Sequence, residues 1–224
     1  MLNLLINKNA FVLYILSFGG IFLIPSVLYG NDFKDKLHGN KLEKLLSINE
    51  YMKFDTLIAI TNELDKNIKL KNKSIEKIFY GYGMLFISDI YVKENKPANA
   101  AESVKKAFYS IDEAVESNNN QWQLKYLRLR MDAFVPQALG RCVVAIADSR
   151  ALMRNTSVAQ ELLSMLEYMQ ARALMNCNRK DESEMLMRKL FLQNDMGRTF
   201  SQYGYTGVPP WSVSEIESIF PPLV

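Results

Sequence analysis

Histidine occurs once in this chain, as His38, and cysteine twice, as Cys142 and Cys177. His38 stands beside Gly39 with no Ser, Cys or carboxylate motif around it, so the nucleophile–base pattern of most hydrolases is missing. There is no HExxH, GxSxG, P-loop or GxGxxG, nor the glycine-centred acidic loop of an EF-hand. Glu182 and Glu184 stand two apart and would diverge on a helix. The two cysteines fall in no CxxC and in no ligand cluster. Together these absences favour a protein that binds over an enzyme, and they imply neither a metal nor a cofactor.

Turn formers are scarce as well. Only 10 Gly and 7 Pro occur in 224 residues, and four of the prolines lie beyond residue 208. That disfavours a many-turned β fold for the body of the chain. Charge of one sign is also lacking: the formal net charge of +3 is too balanced for a nucleic-acid binder. Arginine is missing from the first half, its first occurrence being Arg128. Its planar fork suits carboxylates and interfaces better than lysine does, although ordinary surface charge is the commoner reason for such a bias.

What is present is 49% hydrophobic residues over a length suited to one globular core. Residues 1–30 are different in kind. The stretch from Asn9 through Leu28 is uncharged and long enough to span a bilayer. Gly19, Gly20 and Pro25 interrupt it, and Gly30 suits the end of a cleavage region, although Leu28 is larger than such a site prefers. Residues 1–30 therefore read as a signal peptide or as a signal anchor, the latter a membrane tether through residues 9–29. Both readings export the remainder to a periplasmic or other extracytoplasmic space, with anchoring in the inner membrane under the second. Export permits a disulfide between Cys142 and Cys177, but spacing cannot show that they meet, and two free buried cysteines are the commoner arrangement.

Residues 31–195 read as helices with short polar links. Helical spacing predicts segments from Lys34 to Ile48, Tyr51 or Phe54 to Asn67, Ile75 to Glu94, Trp122 to Phe134, Gln137 to Arg154, Val158 to Cys177 and Lys180 to Asn194. The segment from Ile75 is apolar nearly all round, as a central helix is. Another follows Pro97, with Asn99 and Glu102 placed as a capping box and Glu102 with Lys106 as an i, i+4 pair. Its stripe of Ala100, Val104, Ala107, Ile111 and Ala114 includes small residues that permit a close helix neighbour. Ser212 with Glu215 marks a further short helix in the tail, residues 196–224.

Met84, Ile87, Ser88 and Tyr91, followed by Ala100, Val104 and Ala107, have the large–small spacing of a two-helix repeat. Ala171, Leu174, Ser183, Met187 and Leu190 form a weaker copy, and Gly140, Val144 and Ala151 mark a third that Pro136 interrupts. Over about half the chain this resembles the tetratricopeptide repeat family. The resemblance implies an all-α fold of stacked antiparallel helical hairpins, a TPR-like α-solenoid following the export segment. It further implies a scaffold whose groove holds another protein or a peptide segment. In that groove Tyr82, Lys125, Arg128 and Arg130 are the candidate binding residues, the three cations forming a basic strip for an acidic segment. In the tail, Trp211, Ile216 and Phe220 are the candidate docking residues. The tail either covers the last hairpin, docks onto another protein, or fills the protein's own groove. The alternative function is a ligand-binding component of a periplasmic transport or sensing system, with a pocket near Tyr80, Tyr82 and Tyr126.

Overall fold

The structure, a computed structural model, describes residues 41–71 and 73–223. The expected export segment, residues 1–30 with its tether at 9–29, lies outside the described residues, as does His38. Among the described residues there are ten α-helices, two 3-10 helices and no strand. None of these helices is long and apolar enough to cross a membrane. The α-helices are α1 (Lys41–Leu46), α2 (Phe54–Lys71), α3 (Ser74–Lys93), α4 (Pro97–Glu116), α5 (Trp122–Asp132), α6 (Cys142–Met153), α7 (Leu163–Asn176), α8 (Lys180–Gln193), α9 (Asp195–Ser201) and α10 (Val213–Ile219). From α2 to α9 each helix packs against the next, and α3 also meets α5, α5 meets α7, and α7 meets α9.

Two hairpins are closed in the same way. Asn95 between α3 and α4, and Asn178 between α7 and α8, both adopt the left-handed conformation, with φ of 58° and 59°. Asparagine tolerates this better than most residues. In each case the following amide reaches back to the last turn: Lys96 N–H donates to Tyr91 O at 2.8 Å, and Arg179 N–H to Leu174 O at 2.9 Å. These six-to-one bonds satisfy carbonyls that a helix end otherwise leaves bare. α4 then begins with Pro97 in its first turn, where the missing N–H costs nothing. Asn99 and Glu102 consequently lie inside the helix and form no capping box, whereas Lys106 and Glu102 do pair at 2.6 Å.

The α3–α4 contact explains the small residues differently from the spacing alone. Ala107 and Ile111 are fully buried, and a Cβ added at Gly81 would lie 2.4 Å from Ile111 and 2.9 Å from the Ala107 carbonyl. The close approach is thus glycine against alanine. Met84, Ile87 and Tyr91, the large residues of the repeat pattern, line an open cleft of about 360 Å³ between α2, α3 and α4. The Ser110 hydroxyl donates to the Lys77 carbonyl at 3.0 Å, and Lys77 pairs with Glu113 at 2.9 Å, fixing the register of the two helices.

The continuous helix expected from Gln137 does not form. Gln137–Leu139 is a single 3-10 turn, and Gly140 at φ 69° separates it from α6. Pro136 donates no N–H and Gly140 readily turns left-handed, so the chain reverses there. The tail begins with α9, capped by Asn194, whose side chain accepts from Gly197 N–H at 2.7 Å.

Candidate interaction face

α3, α5 and α7 share a face, and residues 203–220 lie along it. The contacts follow chain order. The Tyr168 hydroxyl on α7 is 2.9 Å from the Gly204 carbonyl and 3.0 Å from that of Gly207. One turn on, Arg172 Nη1 donates to the Gly207 carbonyl at 2.6 Å, while its Nε donates to Ala133 O at 3.2 Å. Its guanidinium also lies 4.4 Å over the Phe134 ring. On α5, Arg130 Nη2 donates to the Pro209 carbonyl at 2.9 Å, and its guanidinium stacks 4.0 Å from the Trp211 ring. Further along, Arg130 Nη1 is 2.8 Å from Glu215 Oε1, which also accepts from the Tyr126 hydroxyl at 2.8 Å. On α3, the Phe79 ring is 6.0 Å from that of Phe220.

Glu215 has two roles. One oxygen receives Tyr126 and Arg130. The other accepts from Ser212 N–H at 2.8 Å, while Glu215 N–H donates to the Ser212 hydroxyl at 3.2 Å. This is the capping box that the sequence pattern predicts, closed on α10. Ile216, Ile219 and Phe220 are buried beside it. Trp211 is half-buried, edge-on to Phe220 at 5.6 Å. The tail therefore does more than cover the last hairpin: it crosses the shared face from α7 through α5 to α3.

The four expected groove residues have different fates. Tyr82 is buried under this layer and its hydroxyl donates to the Leu127 carbonyl. Burial pushes its ionisation well up, Arg130 opposes this, and Asp132 and Glu215 add to it. Burial likewise raises Tyr126, with the Glu215 charge next in effect. Arg130 meets the tail. Arg128 does not. Its Nε and Nη2 hold Asp148 at 2.7 and 3.0 Å, and its Nη1 reaches Glu116 at 2.7 Å and Asp112 at 3.3 Å. Residues two apart on a helix point nearly opposite ways, so Arg128 and Arg130 cannot share a strip. Lys125 is half-exposed. The expected basic strip of Lys125, Arg128 and Arg130 is therefore corrected to one tail-facing cation and one buried structural cation.

Arg128 belongs to a second polar cluster joining α4, α5 and α6. Arg141, just before α6, binds both oxygens of Asp132 at 2.8 Å and both oxygens of Asp112 at 2.7 and 2.8 Å. Its guanidinium also lies 4.4 Å over Phe108. Burial pulls the Arg128 and Arg141 ionisations down, but the bonds and charges of Asp148 and Asp112 outweigh it and leave both raised. Asp132 is pushed up to about 7 because its burial outweighs the bonds from Arg141. The cluster fastens helices together. Among the described residues no group of His, Cys, Asp and Glu is arranged to hold a metal ion.

Cys142 and Cys177 are joined by a disulfide, with Cα atoms 5.6 Å apart. It ties the first residue of α6 to the residue after α7, and both cysteines are half-buried. The expectation of two free buried thiols gives way because antiparallel packing of α6 on α7 brings those two helix ends together.

Sequence spacing missed Tyr168 and Arg172 as members of this face, read Glu215 only as a cap, and named Tyr126 only for the alternative ligand pocket. A signal was available. Tyr-x3-Arg stands in α5 as Tyr126 and Arg130 and again in α7 as Tyr168 and Arg172. The i, i+4 spacing puts each pair on one helix face. Comparison with family models, curated proteins and solved structures finds no match to this chain.

Proposed function

We propose that this chain is an exported, non-enzymatic scaffold of the cell envelope that binds another protein or a peptide segment on the shared face of α3, α5 and α7. A TPR-like stack of helical hairpins is the architecture this reading assigns. The pairing of alternate helices α3–α5, α5–α7 and α7–α9 supports it, as do the two identical asparagine-closed hairpins and the repeated Tyr-x3-Arg pattern. A single observation carries the choice of face: Tyr168, Arg172 and Arg130 all aim donors at main-chain carbonyls of one tail segment, residues 204–209. Main-chain capture with side-chain slots is a common way to hold a peptide.

The experiment is site-specific photo-cross-linking in cells. A photoreactive residue at Val208, 48% exposed and next to Arg130's carbonyl partner, is expected to capture a discrete partner. The control is Tyr109 on α4, which is 71% exposed and belongs to none of the helices that hold the tail. Equal labelling from both positions, or none from Val208, would sink the scaffold reading.

A further inference from the structure

We infer that residues 203–220 are a displaceable, built-in occupant of the α3–α5–α7 face, and that the segment replacing them carries one acidic side chain between two aromatic ones. The inference rests on the scaffold reading for its biological setting and on tail geometry for its chemistry.

The tail is held by two kinds of contact. Tyr168, Arg172 and Arg130 bind carbonyls of Gly204, Gly207 and Pro209, groups that any peptide offers. Three places read side chains. The Glu215 carboxylate fits between Arg130 and Tyr126. Trp211 covers the Arg130 guanidinium. Phe220 is fully buried against Phe79. A matching ligand is therefore aromatic, then acidic four residues later, then aromatic five residues after that.

A permanent lid would not need this chemistry. Apolar residues cover a core at lower cost than a buried guanidinium–carboxylate pair, which chiefly adds selectivity. The tail is also built to leave as a unit. Between residues 202 and 210 Pro209 is the only buried residue, and α10 has seven residues, too few to persist alone. Its release would leave the α2–α9 packing in place, which is the form that local unfolding takes.

The test uses the full chain. By hydrogen exchange on the unaltered protein, the amides of 216–220 should exchange about tenfold faster than those of 126–130. A fluorescent peptide of residues 203–223 should bind the full chain carrying Glu215→Ala and Phe220→Ala about tenfold more tightly than it binds the unaltered chain. The same peptide with both changes should bind neither. Equal protection of α10 and α5 would overturn the inference, and this readout decides the matter alone if the double variant fails to fold. A folded double variant that ignores the peptide would overturn it too. So would a concentration-dependent dimer of the unaltered chain in sedimentation, which would assign the face to tail exchange between copies. Peptide binding without any partner cross-linked at Val208 would remove the scaffold reading and keep this inference. A cross-linked partner without peptide binding would do the reverse.

Discussion

Glu215, in the first turn of α10, lies 2.8 Å from Arg130, which is 85 residues earlier in sequence, and neither side chain is more than 6% exposed. Removing the carboxylate leaves the guanidinium buried and short of a counter-charge, and also opens the capping box of α10. Glu215→Ala is therefore expected to cost about 3–5 kcal/mol in urea unfolding. Glu215→Gln keeps an acceptor for Ser212 N–H and should cost clearly less. Equal losses for the two would mean that the charge on Glu215 holds the tail and that the capping box adds nothing.

The Cys142–Cys177 bridge closes a loop of sequence separation 35. Loop-closure entropy predicts about 3–4 kcal/mol of stability from such a link, through restriction of the unfolded chain. Calorimetry with and without reductant, and on Cys142→Ser with Cys177→Ser, should show the same fall in Tm. An unchanged Tm on reduction would show that the bridge does not contribute.

Gly81 and Gly83 should respond differently to alanine. At Gly81 the new Cβ meets the Ala107 carbonyl as well as Ile111, and the backbone cannot turn aside. At Gly83 the obstacle is a side chain alone, that of Thr61, whose Oγ1 would be 2.3 Å away and can yield only by giving up its bond to the Leu57 carbonyl. Gly81→Ala is expected to lose about 1–3 kcal/mol by overpacking, and Gly83→Ala less. The ranking is read directly from denaturation midpoints, and the reverse order would contradict the α3–α4 contact described above.

Asp132 supplies a pH dependence of defined sign. Its folded value, about 7, lies above the ordinary 3.8, so the fold holds an extra proton between the two. Stability from this group is full below the lower value and is lost as pH rises towards 7. The stability of the unaltered chain minus that of Asp132→Asn should therefore decline from pH 4 to pH 7. A difference that grows over that range would show that the Arg141 bonds, not burial, dominate.

Short-range structure was legible from residue spacing. Ser212 and Glu215, three apart, announce a capping box that α10 forms. Glu102 and Lys106, four apart, pair as expected. Pro136 marks a break, but spacing placed Gly140 inside a helix where a 3-10 turn and a left-handed residue form instead. The candidate face was half legible. Tyr82, Arg130, Trp211, Ile216 and Phe220 were singled out from type and position, and all five lie at the tail layer. Arg128 was grouped with them because it is near in sequence, yet it points to Asp148.

The sequence by itself determined an all-helical chain with few turn formers, one nearly apolar central helix and a capped helix in the tail. Those properties depend on residues three or four apart, where helix geometry fixes who is neighbour to whom. Only the tertiary structure decided that Cys142 finds Cys177, that Arg128 and Arg130 serve different sides of α5, and that the tail crosses α7, α5 and α3. Such pairings depend on which helices pack and where their ends come to lie. No local period encodes that, because many distant residues of the same type compete for each partner until packing selects one.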